Sequence, residues 1–125
     1  MNKKVLVADD DPSILHSIKM LLEDEGYTVE TTGGDKTAQE VKDFMPDVIL
    51  LDIWMSGMDG RDICKHLKTQ SETKHIPIIM ISAHQDVEKI AKEAGADDFV
   101  SKPFDIYQML DKVEHYAFGK YIVKL

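Results

Sequence analysis

The chain has 125 residues, the size of one domain built on one core. Hydrophobic residues make up 43% and charged residues 30%, a balance that excludes a disordered chain. Lys and Arg number 15 against 23 Asp and Glu, so the net charge is −8 and neither nucleic acid nor an anionic membrane is expected as a direct partner. Cys64 is the only cysteine. An internal disulfide is therefore impossible, which fits a reducing, cytoplasmic setting. No apolar run approaches the ~18–20 residues that cross a bilayer. Lys3 and Lys4 precede an apolar stretch, Val5–Ala8, that is too short for a secretory signal.

In chain order, Lys4–Ala8 reads as a strand. Asp11 then caps a helix with Pro12 in its first turn, and Ile14, Ile18, Leu21 and Leu22 mark one helical face. Gly26 stops it. Tyr27–Thr31 alternates like a strand, and Gly33-Gly34 turns the chain. Ala38, Val41 and Met45 form a second helical stripe before Pro46. Val48–Ile53 is apolar on both faces up to Asp52, as in a central parallel strand covered by helices. Gly57 and Gly60 bracket a loop, and Ile63, Cys64 and Leu67 mark a third helix. Thr69–His75 is polar loop, and Ile76–Ser82 is a fourth strand with Pro77 near its start. Val87, Ile90, Ala91 and Ala94 form a fourth helix closed by Gly95. Asp98–Ser101 is a short fifth strand, and Ile106, Met109, Leu110, Val113 and Ala117 form a fifth helix. Met20, Met80 and Phe44 are expected in the core. Five strand–helix units in alternation imply a parallel sheet with helices on both faces.

In such sheets ligands bind beyond the carboxyl ends of the strands. The first strand ends in Asp9, Asp10 and Asp11, the third carries Asp52, the fourth ends in Ser82 and the fifth in Lys102. Each alone has an ordinary reading: Asp11 as a helix cap, Asp9 and Asp10 as loop acids, Lys102 as a surface lysine. Asp52 is the most informative, because a charge inside an apolar run is costly unless paired or bound. Together they describe a site. Carboxylates in one crevice repel each other unless a cation neutralises them, and an all-oxygen cluster suits Mg²⁺. A carboxylate can act as a nucleophile toward phosphorus, with metal and Lys stabilising the phosphoryl oxygens and a hydroxyl such as Ser82 adding a hydrogen bond.

The segments VLVADDDPSIL, PDVILLDIWMSGMDG, IIMISAH and AGADDFVSKPF, at their spacing, resemble the receiver domains of two-component response regulators. The resemblance covers Lys3 to Phe118. It implies a flavodoxin-like, doubly wound five-stranded sheet of order 2-1-3-4-5, and one receiver domain over residues 1–125 with 119–125 as a short tail. It further implies Asp52 as phosphoacceptor, and Asp9, Asp10, Asp52 and the backbone carbonyl of Trp54 as Mg²⁺ ligands, with Asp10 more direct than Asp9. Ser82 and Phe99 correspond to the switch pair, Lys102 to the phosphate-pairing lysine, and Pro103 to the family's cis-proline. The implied donor is a sensor histidine kinase or a histidine phosphotransfer protein. The implied role is signalling, with self-phosphorylation and self-dephosphorylation as the only chemistry. A stand-alone chemotaxis- or phosphorelay-like receiver is the first form. A fragment of a longer DNA-binding regulator or of a hybrid kinase is the second.

Three positions depart from the family pattern. Ser56 stands where Pro is common, Trp54 is bulky, and Phe99 lacks the hydroxyl of the frequent Tyr. Other chemistries fit less well. Cys64 and His66 are two apart on a helix and cannot face one metal. No Gly-rich phosphate loop follows the first strand, against a nucleotide or flavin site. Haloacid-dehalogenase-like phosphatases carry a second acid two residues after their nucleophile, where this chain has Trp54.

Overall fold

The computed structural model describes residues 2–55 and 57–119. Ser56 and the tail beyond Gly119 lie outside the described residues. The elements are β1 (Lys4–Ala8), α1 (Pro12–Asp24), β2 (Thr28–Thr32), α2 (Thr37–Phe44), β3 (Val48–Asp52), β4 (Trp54–Met55), β5 (Met58–Asp59), α3 (Gly60–Thr69), β6 (Ile78–Ser82), α4 (Val87–Ala94), β7 (Asp98–Ser101) and α5 (Ile106–Phe118). Five strands form one parallel sheet in the order β2-β1-β3-β6-β7. With the two short hairpin strands β4 and β5 set aside, this is the expected 2-1-3-4-5 order.

Strand side chains alternate between two cores, as the period of two requires. Leu6 and Ala8 of β1, Ile49 and Leu51 of β3, and Ile78 and Met80 of β6 meet Val41, Ile63, Leu67 and Ala91 from α2, α3 and α4. Val5, Val7, Val48, Leu50, Ile79 and Ile81 meet Ile18, Leu22, Met109 and Val113 from α1 and α5. The central strand β3 is buried along its whole length. This explains why its sequence is apolar on both faces until Asp52.

Helix ends follow local chemistry. Asp11, Asp59 and Asp105 cap α1, α3 and α5, each accepting a backbone N–H of the first turn. Helix α2 ends on Met45 in the left-handed region, with φ 49°, one residue before Pro46. Several boundaries differ from the sequence reading: β2 ends at Thr32, β3 at Asp52, and Thr69 closes α3 instead of opening the loop. Tyr27 lies beyond α1, but its N–H is captured by the helix's last turn, donating to the Leu22 carbonyl at 3.1 Å, so β2 starts one residue later. The Ile76 N–H is held by the Thr73 carbonyl at 3.0 Å, and strand pairing starts only at Ile78. The stretch between Gly57 and Gly60 is part of a hairpin, Trp54 paired with Asp59 and Met55 with Met58, and Gly60 opens α3. Met80 is buried and Phe44 packs against the core, but Met20 is 54% exposed. Two residues past Ile18, it lies about 200° around the helix, away from the buried stripe.

Candidate functional site

Strands β1, β3, β6 and β7 run in parallel, so their carboxyl ends open on one edge. Asp9 follows β1 directly, and its N–H donates to the Thr32 carbonyl at 3.0 Å, prolonging the β1–β2 ladder. That holds a carboxylate only 1% exposed. One Asp9 oxygen accepts the Asp11 N–H at 3.0 Å, and the other accepts the Lys102 ammonium at 2.9 Å. Asp10 is exposed at the rim. Asp52 is the last residue of β3, 5% exposed, and lies 3.6 Å from Lys102 Nζ. Its carboxylate also accepts the backbone N–H of Trp54. One carboxylate oxygen from each of Asp9, Asp10 and Asp52 lies within 4.8 Å of the others.

The electrostatics follow from this crowding. Burial, and then the neighbouring Asp9 charge, push the Asp52 carboxyl up to about 6, against the pull of Lys102. Burial opposes the charge on Lys102, but its hydrogen bond to Asp9 and the Asp52 charge outweigh that and raise its pKa. An all-oxygen cluster that stays electronegative with its lysine in place fits a hard divalent cation, and lacks the thiolate or imidazole a softer metal prefers.

The remaining predicted residues sit around the same edge. Ser82 ends β6, 1% exposed, and its Oγ accepts the His84 N–H at 3.0 Å. Lys102 is placed by its own N–H, which donates to the Ser82 carbonyl at 2.8 Å, and the Lys102–Pro103 bond is cis. Phe99 is half-buried on β7 opposite Met80, with Lys112 Nζ 4.7 Å from its ring centroid. Trp54 is 48% exposed, and the Arg61 guanidinium lies 4.6 Å from its ring centroid.

Several contributors were not legible in the sequence. Gly60 packs against the carboxyl end of β3 so closely that a Cβ there would overlap the Asp52 carbonyl and the Ile53 backbone. Its N–H donates to the Ile53 carbonyl at 2.7 Å. Asp59 and Arg61 form a forked ion pair beside Trp54, and Lys112 braces Phe99. The only sequence signal was the glycine itself, since close backbone approach leaves no other mark.

Residues 5–114 match the family model of the response regulator receiver domain. The chain belongs to this family. The receiver is 35% identical over 116 residues to the DNA-binding response regulator MtrA of Mycolicibacterium smegmatis, covering 90% of this chain and 50% of that protein. It is 40% identical over 114 residues to the nisin biosynthesis regulatory protein NisR of Lactococcus lactis, covering 89% and 48%. The chain thus spans about half the length of the curated relatives it matches. Among solved structures, a response regulator from Chloroflexus aurantiacus superposes with TM-score 0.88 at 27% identity, covering 94% of this chain and 99% of that one. The chemotaxis protein CheY4 of Vibrio cholerae follows with TM-score 0.85 at 29% identity, covering 93% and 99%. The receiver domain is therefore a signalling module of two-component systems with a flavodoxin-like, CheY-type fold. Among the described residues no helix is long and apolar enough to cross a membrane.

Proposed function

We propose that Asp52 accepts a phosphoryl group from the phosphohistidine of a sensor histidine kinase or a histidine phosphotransfer protein. The observation that carries this reading is the convergence of three carboxylates on an edge where Lys102 meets two of them. Asp9, Asp10, Asp52 and the backbone carbonyl of Trp54 would hold Mg²⁺, with Asp10 the more direct of the first pair. When bound, Mg²⁺ neutralises the carboxylates and the oxygens of the incoming phosphoryl group.

In the transfer, an oxygen of Asp52 bonds to phosphorus as the phosphorus–nitrogen bond to the donor imidazole breaks. The imidazole nitrogen keeps the electron pair and takes up a proton. Lys102 shifts from its carboxylate partners toward a phosphoryl oxygen. Ser82 turns its hydroxyl hydrogen to a second one, and Phe99 turns inward behind it. The face formed by α4, β7 and α5 changes as one of two states gains population. The only chemistry is self-phosphorylation and self-dephosphorylation, without sustained phosphatase turnover. Output passes by protein contact rather than by nucleic acid or membrane binding. A cytoplasmic setting suits a kinase-coupled receiver and the free, buried thiol of Cys64.

On this reading residues 1–125 are a single receiver domain. The coverage of MtrA and NisR favours a second form, in which the same receiver is one half of a longer regulator. The length of the native open reading frame separates the two. The core reading is tested by intact-mass measurement after incubation with acetyl phosphate and Mg²⁺. One phosphoryl group is expected on wild type, none without Mg²⁺ and none on Asp52→Asn. Equal labelling of Asp52→Asn overturns the assignment.

A further inference from the structure

The hairpin that follows Asp52 carries a device the phosphorylation reading does not use. Trp54 of β4 pairs with Asp59 of β5, so their side chains share a face. Asp59 receives a forked ion pair from Arg61: Nη2 at 2.7 Å, and Nε at 3.0 and 3.1 Å from the two oxygens. The same Asp59 caps α3 by accepting the Arg61 N–H at 2.9 Å. The guanidinium, pinned in this way, covers the Trp54 ring at 4.6 Å. Trp54 in turn donates its backbone N–H to the Asp52 carboxylate. A half-exposed indole would ordinarily sample several rotamers. Here a planar cation held at both ends restrains it.

We propose that Asp59 and Arg61 are positioning residues that hold the Trp54 indole as a wall beside Asp52, and that this clamp prolongs the life of the aspartyl phosphate. The inference rests on Asp52 being the phosphoacceptor. In the hydrolysis it slows, a water oxygen bonds to phosphorus opposite the Asp52 oxygen as the phosphorus–oxygen bond to Asp52 breaks. Asp52 leaves as a carboxylate, and the water's proton passes to solvent. A clamped indole restricts the arrival of that water. Freed of Arg61, the indole turns out into solvent for part of the time and the path opens.

The test is a double-mutant cycle on phosphoryl decay, followed by intact mass after acetyl phosphate is removed by desalting. Arg61→Gln is expected to shorten the lifetime about fivefold, equivalent to about 1 kcal/mol in the barrier. Arg61→Lys keeps a cation but lacks the fork, and falls between. Asp59→Asn keeps a helix cap but loses the ion pair, and shortens the lifetime as Arg61→Gln does. In a Trp54→Ala background, Arg61→Gln should have no further effect, because Arg61 acts through the indole. Lys92→Gln removes a cation from the exposed pair with Glu88 and should leave the decay unchanged. Trp54 is the only tryptophan, so its emission anisotropy reads the clamp without phosphorylation and should fall in Arg61→Gln. A wild type that takes up no phosphoryl group overturns the Asp52 reading and the clamp with it. A labelled Arg61→Gln decaying at the wild-type rate, or an equal Arg61→Gln effect without the indole, overturns the clamp alone.

Discussion

At the carboxyl ends of β1 and β3, three carboxylates crowd within 4.8 Å and one ammonium, Lys102, reaches two of them. Along β7 and α5 the acids are matched by donors instead. Asp98 takes the Lys112 ammonium at 2.9 Å on one oxygen and the Tyr116 hydroxyl at 3.1 Å on the other. Asp97 takes Lys68 at 2.7 Å and the Ile78 N–H at 2.8 Å. Lys112 also donates to the Phe99 carbonyl at 2.6 Å, and Tyr116 to that of Asp97 at 3.1 Å. Burial, and then the Asp98 charge, push the Tyr116 hydroxyl up to about 12, so it remains a donor. The β7–α5 clasp is complete without a ligand. The crevice holds more carboxylates than cations, and on the proposed reading a divalent cation and a phosphoryl group complete it. One fold thus keeps charge balanced where β7 and α5 are held together and unbalanced at the carboxyl edge of the sheet.

The largest way to break this contrast is Lys102→Ala. It leaves the buried Asp9 carboxylate without its cation, and breaking such a pair costs about 3 kcal/mol. Urea unfolding of the metal-free protein should show that loss, and added Mg²⁺ should recover part of it. Phosphoryl signalling should fail as well. No loss of stability would mean that the ammonium is dispensable to the crevice.

Asp52→Asn should act in the opposite direction. The folded Asp52 carboxyl titrates near 6, above the ordinary value of 3.8. A raised folded pKa stabilises the protein fully below the unfolded pKa, and that contribution disappears as pH rises through 6. Metal-free wild type should therefore weaken relative to Asp52→Asn between about pH 4 and pH 7, by at most about 3 kcal/mol. Mg²⁺ should narrow the gap. Parallel pH profiles of the two proteins in chelator would refute the crowding.

The smallest effect is expected from the clasp. Lys112→Met keeps the apolar stem but removes the ion pair, the bond to the Phe99 carbonyl and the cation over the Phe99 ring. The cost should be about 1 kcal/mol. If the cation favours the half-buried Phe99 position, beryllofluoride should then switch the amide signals of α4, β7 and α5 at about threefold lower concentration. An unchanged midpoint with lowered stability would confine Lys112 to a structural role.

Periodicity and turn chemistry made most of the fold legible. The apolar run ending at Asp52 marked the buried central strand, and Asp11-Pro12, Gly26 and Gly95 marked helix ends. Two of the misplaced boundaries lie where a backbone group is captured by a neighbour rather than by its own element, at Tyr27 and Ile76. Met20 was misread because residue type records hydrophobicity but not which way a helix faces.

The candidate site divides in the same way. Residue types and strand ends alone brought Asp9, Asp10, Asp52, Ser82 and Lys102 to one edge, because parallel strands must present their carboxyl ends together. That edge was determined by the sequence. What only the tertiary structure decided is which groups touch: Lys102 on Asp9 and 3.6 Å from Asp52, Arg61 over Trp54, Lys112 under Phe99, and Gly60 against the Asp52 carbonyl. Those contacts join residues through side-chain reach and backbone proximity. Neither leaves a period, and hydrophobic pattern carries no trace of which long cation bends toward which acid or ring.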